Sequence, residues 1–182
     1  MTVHKEQRVG IFLDIQNLYH SAKNLYNARV NYKELIKNLV AGRKLIRAIA
    51  YVVKAEGVDG AGAQPSGVAG LALPGREAAF FEALKGAGLE LRMKDLQVFY
   101  GGNKKGDWDV GIAIDMIELA KKLDVAVLVS GDGDFLPLLQ HVKHAVGCRV
   151  EVIAFGKSCS SKLVDEAESF TDLDVNAKHY LI

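Results

Sequence analysis

Five aspartates stand out by their places in the chain. Asp14 directly follows the apolar run RVGIFL, and Asp132 and Asp134 follow the run VAVLV within Ser-Gly-Asp-Gly-Asp-Phe. Asp109 lies in the first turn of an expected helix. Asp115 is the only charged residue in Gly-Ile-Ala-Ile-Asp-Met-Ile. Several ionised carboxylates share a small volume only when a cation compensates them. Hard oxygen donors with neither Cys nor His beside them select Mg²⁺ or Mn²⁺ over zinc. Such ions activate a water and stabilise the leaving oxygen of a phosphodiester. Each aspartate also has an ordinary use. Asp132 and Asp134 could cap a helix or shape a turn, Asp109 could favour a helix dipole, and Asp14 could simply end a strand.

The elements that would position these side chains follow from periodicity. Short apolar, β-branched runs at 8–13, 44–53, 89–93, 125–129 and 149–154 read as strands, and 96–100 as extended chain. Helical patterns at 17–28, 32–41, 76–87, 107–123, 135–146 and 160–168 alternate with them. Asn31 is placed to cap the second helix, and Gly147 to end the fifth. This rhythm predicts a parallel sheet with helices on both faces, whose strand C-termini share one edge. In such sheets the first strand neighbours the strand reached after the order reverses, and sites form in the crevice outside their ends. Asp14 and the Asp132/Asp134 pair are expected to face each other there. Asp115 lies about 120° around the helix from Asp109, at ~100° per residue. It is therefore expected as an outer ligand or a support to the ligands.

Three segments, RVGIFLDIQNL, KGDWDVGIAIDMIELA and VLVSGDGDFL, together resemble the NYN domain family, in particular its LabA-like branch. That family is related to PIN-type nucleases. The resemblance runs in order over about residues 8–172. It implies a Rossmann-like three-layer α/β/α sandwich with a mostly parallel central sheet, and metal-dependent ribonuclease chemistry. By motif position it assigns Asp14, Asn17, Asp109, Asp132 and Asp134 to the acidic site, with Asp115 supporting them. Asn17, one turn beyond Asp14, would hydrogen-bond a water or a scissile phosphate oxygen. The expected activity is hydrolysis of RNA phosphodiester bonds by a metal-activated water, with Mg²⁺ or Mn²⁺ as cofactor.

Composition bounds these readings. With 182 residues, 49% apolar and 25% charged, the chain can bury a core without disulfides, and one domain over 1–182 is expected. No run approaches the ~18 apolar residues of a membrane helix, and the polar N-terminus lacks a signal-peptide segment. With two cysteines and no CxxC, a reduced cytoplasmic setting is expected. The net charge is +1, yet residues 1–54 hold 10 Lys/Arg against 3 Asp/Glu and residues 107–182 hold 7 against 13. Such asymmetry fits either two solvated faces or a polyanion path beside a carboxylate site.

Lys104 and Lys105, in the glycine-rich segment 101–106, are candidates for holding backbone phosphates. Single-stranded RNA is the expected partner ahead of duplex RNA; a protein partner or a homo-oligomer stays open. Trp108 reads as an anchor of its helix to the sheet, with base stacking as the alternative. Residues 57–75 carry six glycines and two prolines, which reads as a loop. P-loop and dinucleotide fingerprints are absent. A phosphatase with Asp14 as nucleophile lacks its second acid, since position 16 is Gln16. The alternative is a regulatory RNA- or protein-binding module that keeps the acidic pocket without turnover.

Overall fold

The computed structural model describes residues 4–54, 76–95, 97–98, 104–105 and 107–182. β1 (Arg8–Asp14) leads into α1 (Ile15–Tyr26) and α2 (Tyr32–Val40), then β2 (Lys44–Lys54), α3 (Arg76–Gly86) and β3 (Glu90–Asp95). Two short strands follow, β4 (Gln97–Val98) and β5 (Lys104–Lys105), paired antiparallel to each other. Next come α4 (Asp109–Ala120), β6 (Val125–Val129), α5 (Leu136–Gln140) and β7 (Arg149–Ala154). α6 (Ser161–Glu166), β8 (Ser169–Asp172) and α7 (Ala177–Tyr180) complete the order. The glycine-rich stretch 57–75 lies outside the described residues, as do 96 and 99–100 of the expected extended segment.

The central sheet has six strands in the order β3-β2-β1-β6-β7-β8, every pair parallel. The chain steps outward from β1 to β3, returns across α4 to β6, and steps outward again. The order therefore reverses between β1 and β6, where Leu13 pairs with Val129. Both strands are apolar on both faces because helices cover both. Val9, Ile11, Leu13, Val127 and Val129 bury against α1, α2 and α3. Phe12, Ala126 and Leu128 bury against α4, α5 and α6. This is the expected α/β/α sandwich.

The edge opposite the strand C-termini is clamped by ion pairs. Arg8 binds both carboxylate oxygens of Asp124, through Nε at 3.1 Å and Nη2 at 2.8 Å, and its backbone N–H donates to Oδ2 at 2.7 Å. Arg43, with its side chain 5% exposed, meets Glu151 of β7 at 3.1 Å and donates to the Leu39 carbonyl at the end of α2. Arg43 thus satisfies a helix C-terminus and a buried carboxylate together.

Several element ends differ from expectation. α1 begins at Ile15 rather than 17 because Asp14 caps it, and α4 begins at Asp109. The expected helix 135–146 divides into a 3₁₀ turn (Gly133–Phe135), α5 and a wider π turn (His141–Val146), closed by Gly147 at φ +75°. β8 and α7 did not announce themselves by periodicity.

Removing one partner of a buried ion pair costs about 3–5 kcal/mol, because it strands the other charge. Arg43→Met should lower the unfolding free energy toward that range, read from urea titration of the full chain. A loss under about 1 kcal/mol, the worth of an exposed pair, would show that the pair is effectively solvated.

Candidate functional site

The reversal point gathers carboxylates because β1 and β6 each end on polar residues after an unbroken apolar run. Asp14 terminates β1 and is 9% exposed. Its Oδ1 accepts the Asn17 N–H at 3.1 Å, capping α1. Its Oδ2 accepts the Ser130 hydroxyl at 3.2 Å. Ser130 follows β6, is 1% exposed, and accepts the Asp132 N–H at 3.2 Å. Asn17 closes the circuit, since its Oδ1 accepts the Gly131 N–H at 2.9 Å. Asp132 then caps the 3₁₀ turn, its Oδ1 taking the Asp134 N–H at 3.0 Å. A side chain at Gly131 would press on the backbone of Ser158 and Cys159 at 3.0 Å, and the Ser160 N–H donates to the Gly131 carbonyl. The β7–α6 connection is thereby seated against this loop.

At Asp132, capping and a cation site do not compete for the same atom. Asp14 and Asp132 each use Oδ1 to cap a helical turn, while Oδ2 of Asp132 accepts no hydrogen bond among the described residues. Asp109, in the first turn of α4, makes no cap; the N-cap position is Trp108.

The electrostatics show that these side chains share one field. Burial raises the pKa of Asp14, the Asn17 N–H and Ser130 hydroxyl oppose that rise, and the Asp132 charge adds to it. Asp109 is pushed up to about 6, first by burial and then by the charges of Asp14, Asp107, Asp132 and Asp134. Among the described residues, however, no three His, Cys, Asp or Glu side chains close around one point as a metal cage. The donor set still suits Mg²⁺ or Mn²⁺, which commonly bind through one or two carboxylates and complete their shell with waters and substrate phosphates. Neighbouring negative charge adds to burial in raising Asp14 and Asp109, and a cation held among these carboxylates would offset it.

The remaining expected residues separate from this cluster. Asp115 accepts the Tyr51 hydroxyl at 2.8 Å and faces Arg92 Nε at 3.5 Å. Tyr51 is held well above the usual phenol range by burial and then by this bond. Trp108 packs as an anchor. Its Nε1 donates to the Val52 carbonyl at 2.9 Å, its ring meets Tyr51 edge-on at 5.5 Å between centroids, and Gly111 leaves room for it. Lys94 sits over the same ring at 5.3 Å and donates to the Asp107 carbonyl, tying β3 to the start of α4. Lys104 and Lys105 lie in β5, and their side chains are outside the described residues. Two participants escaped the sequence. Asp107 could have been noticed as a second acid beside Trp108. Ser130 carried no signal beyond its position between an apolar strand and Gly-Asp.

The NYN domain pattern matches residues 8–174, nearly the whole chain. The chain belongs to the NYN domain family. This NYN protein is 25% identical over 179 residues to the Low amplitude and bright protein LabA of Synechococcus elongatus, covering 93% of this chain and 86% of that one. It also resembles the crystal structure of a Vibrio parahaemolyticus protein of unknown function, at 27% identity and a TM-score of 0.82, with both chains covered completely. Family membership among PIN-like nucleases suggests ribonuclease function and RNA binding. No helix among the described residues is long and apolar enough to cross a membrane.

Asp109 provides a direct check on the shared field. Its folded pKa of about 6 lies above the ~3.9 of an unfolded aspartate. The folded state therefore holds the proton more tightly, and ionisation destabilises it above the folded pKa. That penalty is absent below the unfolded value. In chelator, Asp109→Asn should melt higher than the parent at neutral pH, the gain vanishing as pH falls from about 6 to about 4. Scanning calorimetry across that range reads it. Equal melting temperatures at neutral pH would mean that neither burial nor the neighbouring carboxylates raise Asp109.

Proposed function

We propose that this NYN domain, read as one domain over 1–182, is a divalent-metal-dependent ribonuclease hydrolysing RNA phosphodiester bonds. The observation that carries the reading is geometric: Asp14 at the end of β1 and Asp132 after β6 meet at the reversal point of the sheet, joined through Ser130. Asp14, Asp109, Asp132 and Asp134 would hold Mg²⁺ or Mn²⁺. When bound, such ions lower the pKa of a water and neutralise charge on the leaving oxygen.

The chain's own residues do the positioning. Asp109, raised to about 6 by burial and then by neighbouring charge, would be held fully ionised near neutral pH by a cation beside it. Asn17 has its carbonyl oxygen engaged by Gly131. Its two amide hydrogens are then left as donors to a phosphate oxygen or a water, in a site otherwise built of acceptors. Asp115 supports the site indirectly, holding Tyr51 and Arg92 and through them the β2–α4 contact that carries Trp108 and Asp109. Lys104 and Lys105 would hold backbone phosphates, offsetting the repulsion between RNA and the aspartates. A binding module without turnover is the second reading. It is favoured by Asp14, both of whose carboxylate oxygens are engaged within the fold, by the Asn17 N–H and the Ser130 hydroxyl.

The test is cleavage of end-labelled single-stranded RNAs by the full chain with Mn²⁺, with Mg²⁺ and with chelator. Cleavage should require the cation, and Asp14→Asn and Asp132→Asn should each reduce it to the chelated level. RNA retention without cleavage in any metal would favour the binding module. Neither retention nor cleavage would remove RNA from the account.

A further inference from the structure

We propose that Ser130 is the positioning residue that couples Asp14 to Asp132 and so sets the cation affinity of the site; this rests on the cation-site reading above. A serine hydroxyl offers one donor and two acceptor lone pairs. Here both kinds of group are used, and in one arrangement only. The Asp132 backbone N–H can only donate, so Ser130 Oγ accepts it at 3.2 Å. Its own proton then goes to Asp14 Oδ2 at 3.2 Å. One atom thereby joins the end of β1 to the loop after β6.

Ser130 is 1% exposed, and Asp14 is 9% exposed. Water does not readily replace a bond lost at such depth, so loss of the hydroxyl leaves a carboxylate oxygen and an N–H without their partner. The consequence reaches the site through geometry. Asp14 loses the donor that fixes its Oδ2, and the Asp132 backbone loses the contact that fixes its distance from β1. Asn17 and Gly131 retain the adjoining bond at 2.9 Å, so the loop keeps its approach while the two carboxylates lose their common reference. Buried at the strand end, Ser130 acts on the cation through these carboxylates rather than by touching substrate. Groups that orient ligating side chains in this way typically change metal affinity by about 10- to 100-fold when removed.

The experiment measures Mn²⁺ binding to the RNA-free full chain by electron paramagnetic resonance, counting free Mn²⁺, with melting temperatures recorded alongside. Ser130→Ala and Ser130→Cys should weaken Mn²⁺ by about 10- to 100-fold. Ser130→Thr, which keeps the hydroxyl, should stay near the parent. Should the alanine variant fail to fold, the cysteine variant, close in volume but a weak donor, carries the comparison. Unchanged affinity without the hydroxyl overturns the proposal. An equal loss in all three variants overturns it too, since packing rather than the hydroxyl would then be at work. A parent that binds no Mn²⁺, with RNA added as well as without it, refutes the cation-site reading itself, a result separable from either of these.

Discussion

Asp14 ends a strand whose preceding residues, Val9 through Leu13, are fully or almost fully withdrawn from water, and its own carboxylate is withdrawn with them. An ionised group in that position is costly unless it is hydrogen-bonded or compensated. Much of the local architecture answers this one demand. α1 starts at Ile15 because the carboxylate accepts the Asn17 N–H. The β6 loop turns toward β1 because Ser130 donates to the same carboxylate and Asn17 receives Gly131. The helix start and the turn of the β6 loop toward β1 are in this sense consequences of where one charge was placed.

These bonds satisfy Asp14 only in part, and the shortfall is informative. Burial still raises its pKa despite the donors around it, and Asp109 is raised by burial and then by the charges of its neighbours. A fold selected for stability alone would place a lysine or arginine among such aspartates, as it does elsewhere in this chain. Arg8 holds Asp124 and lowers its pKa to about 2, and Arg43 holds Glu151. Among the described residues, no lysine or arginine pairs with Asp14, Asp109, Asp132 or Asp134 at the C-terminal edge, while the opposite edge is clamped by complete pairs. That contrast between two edges of one sheet argues for function at the former.

Much of this was legible in the residues. Unbroken apolar runs require cover on both faces, which a parallel sheet between helices supplies, and the places of Asp14, Asp132 and Asp134 after such runs put them at the shared edge. The angular argument separating Asp115 from Asp109 agrees with the different partners they have. What stayed hidden was set by tertiary context. β8 is a four-residue, half-buried strand whose sequence, SFTD, has no distinguishing alternation. The start of α1 depends on a cap bond rather than on apolar spacing. Ser130 looks like an ordinary turn residue until its burial and its two bonds are seen. Sequence spacing could group the aspartates, but it could not show that a hydroxyl lay between two of them.

The central claim is that aspartates from β1, α4 and the β6 loop form one divalent-cation site. Paramagnetic broadening of backbone amide resonances by substoichiometric Mn²⁺ tests it most directly, because the effect falls steeply with distance and needs no turnover. The account predicts that the amides of Asn17, Asp109, Gly131, Asp132 and Asp134 broaden first and recover on chelation. Broadening centred on another acidic surface, or none at Mn²⁺ equal to the protein with RNA present, would contradict it.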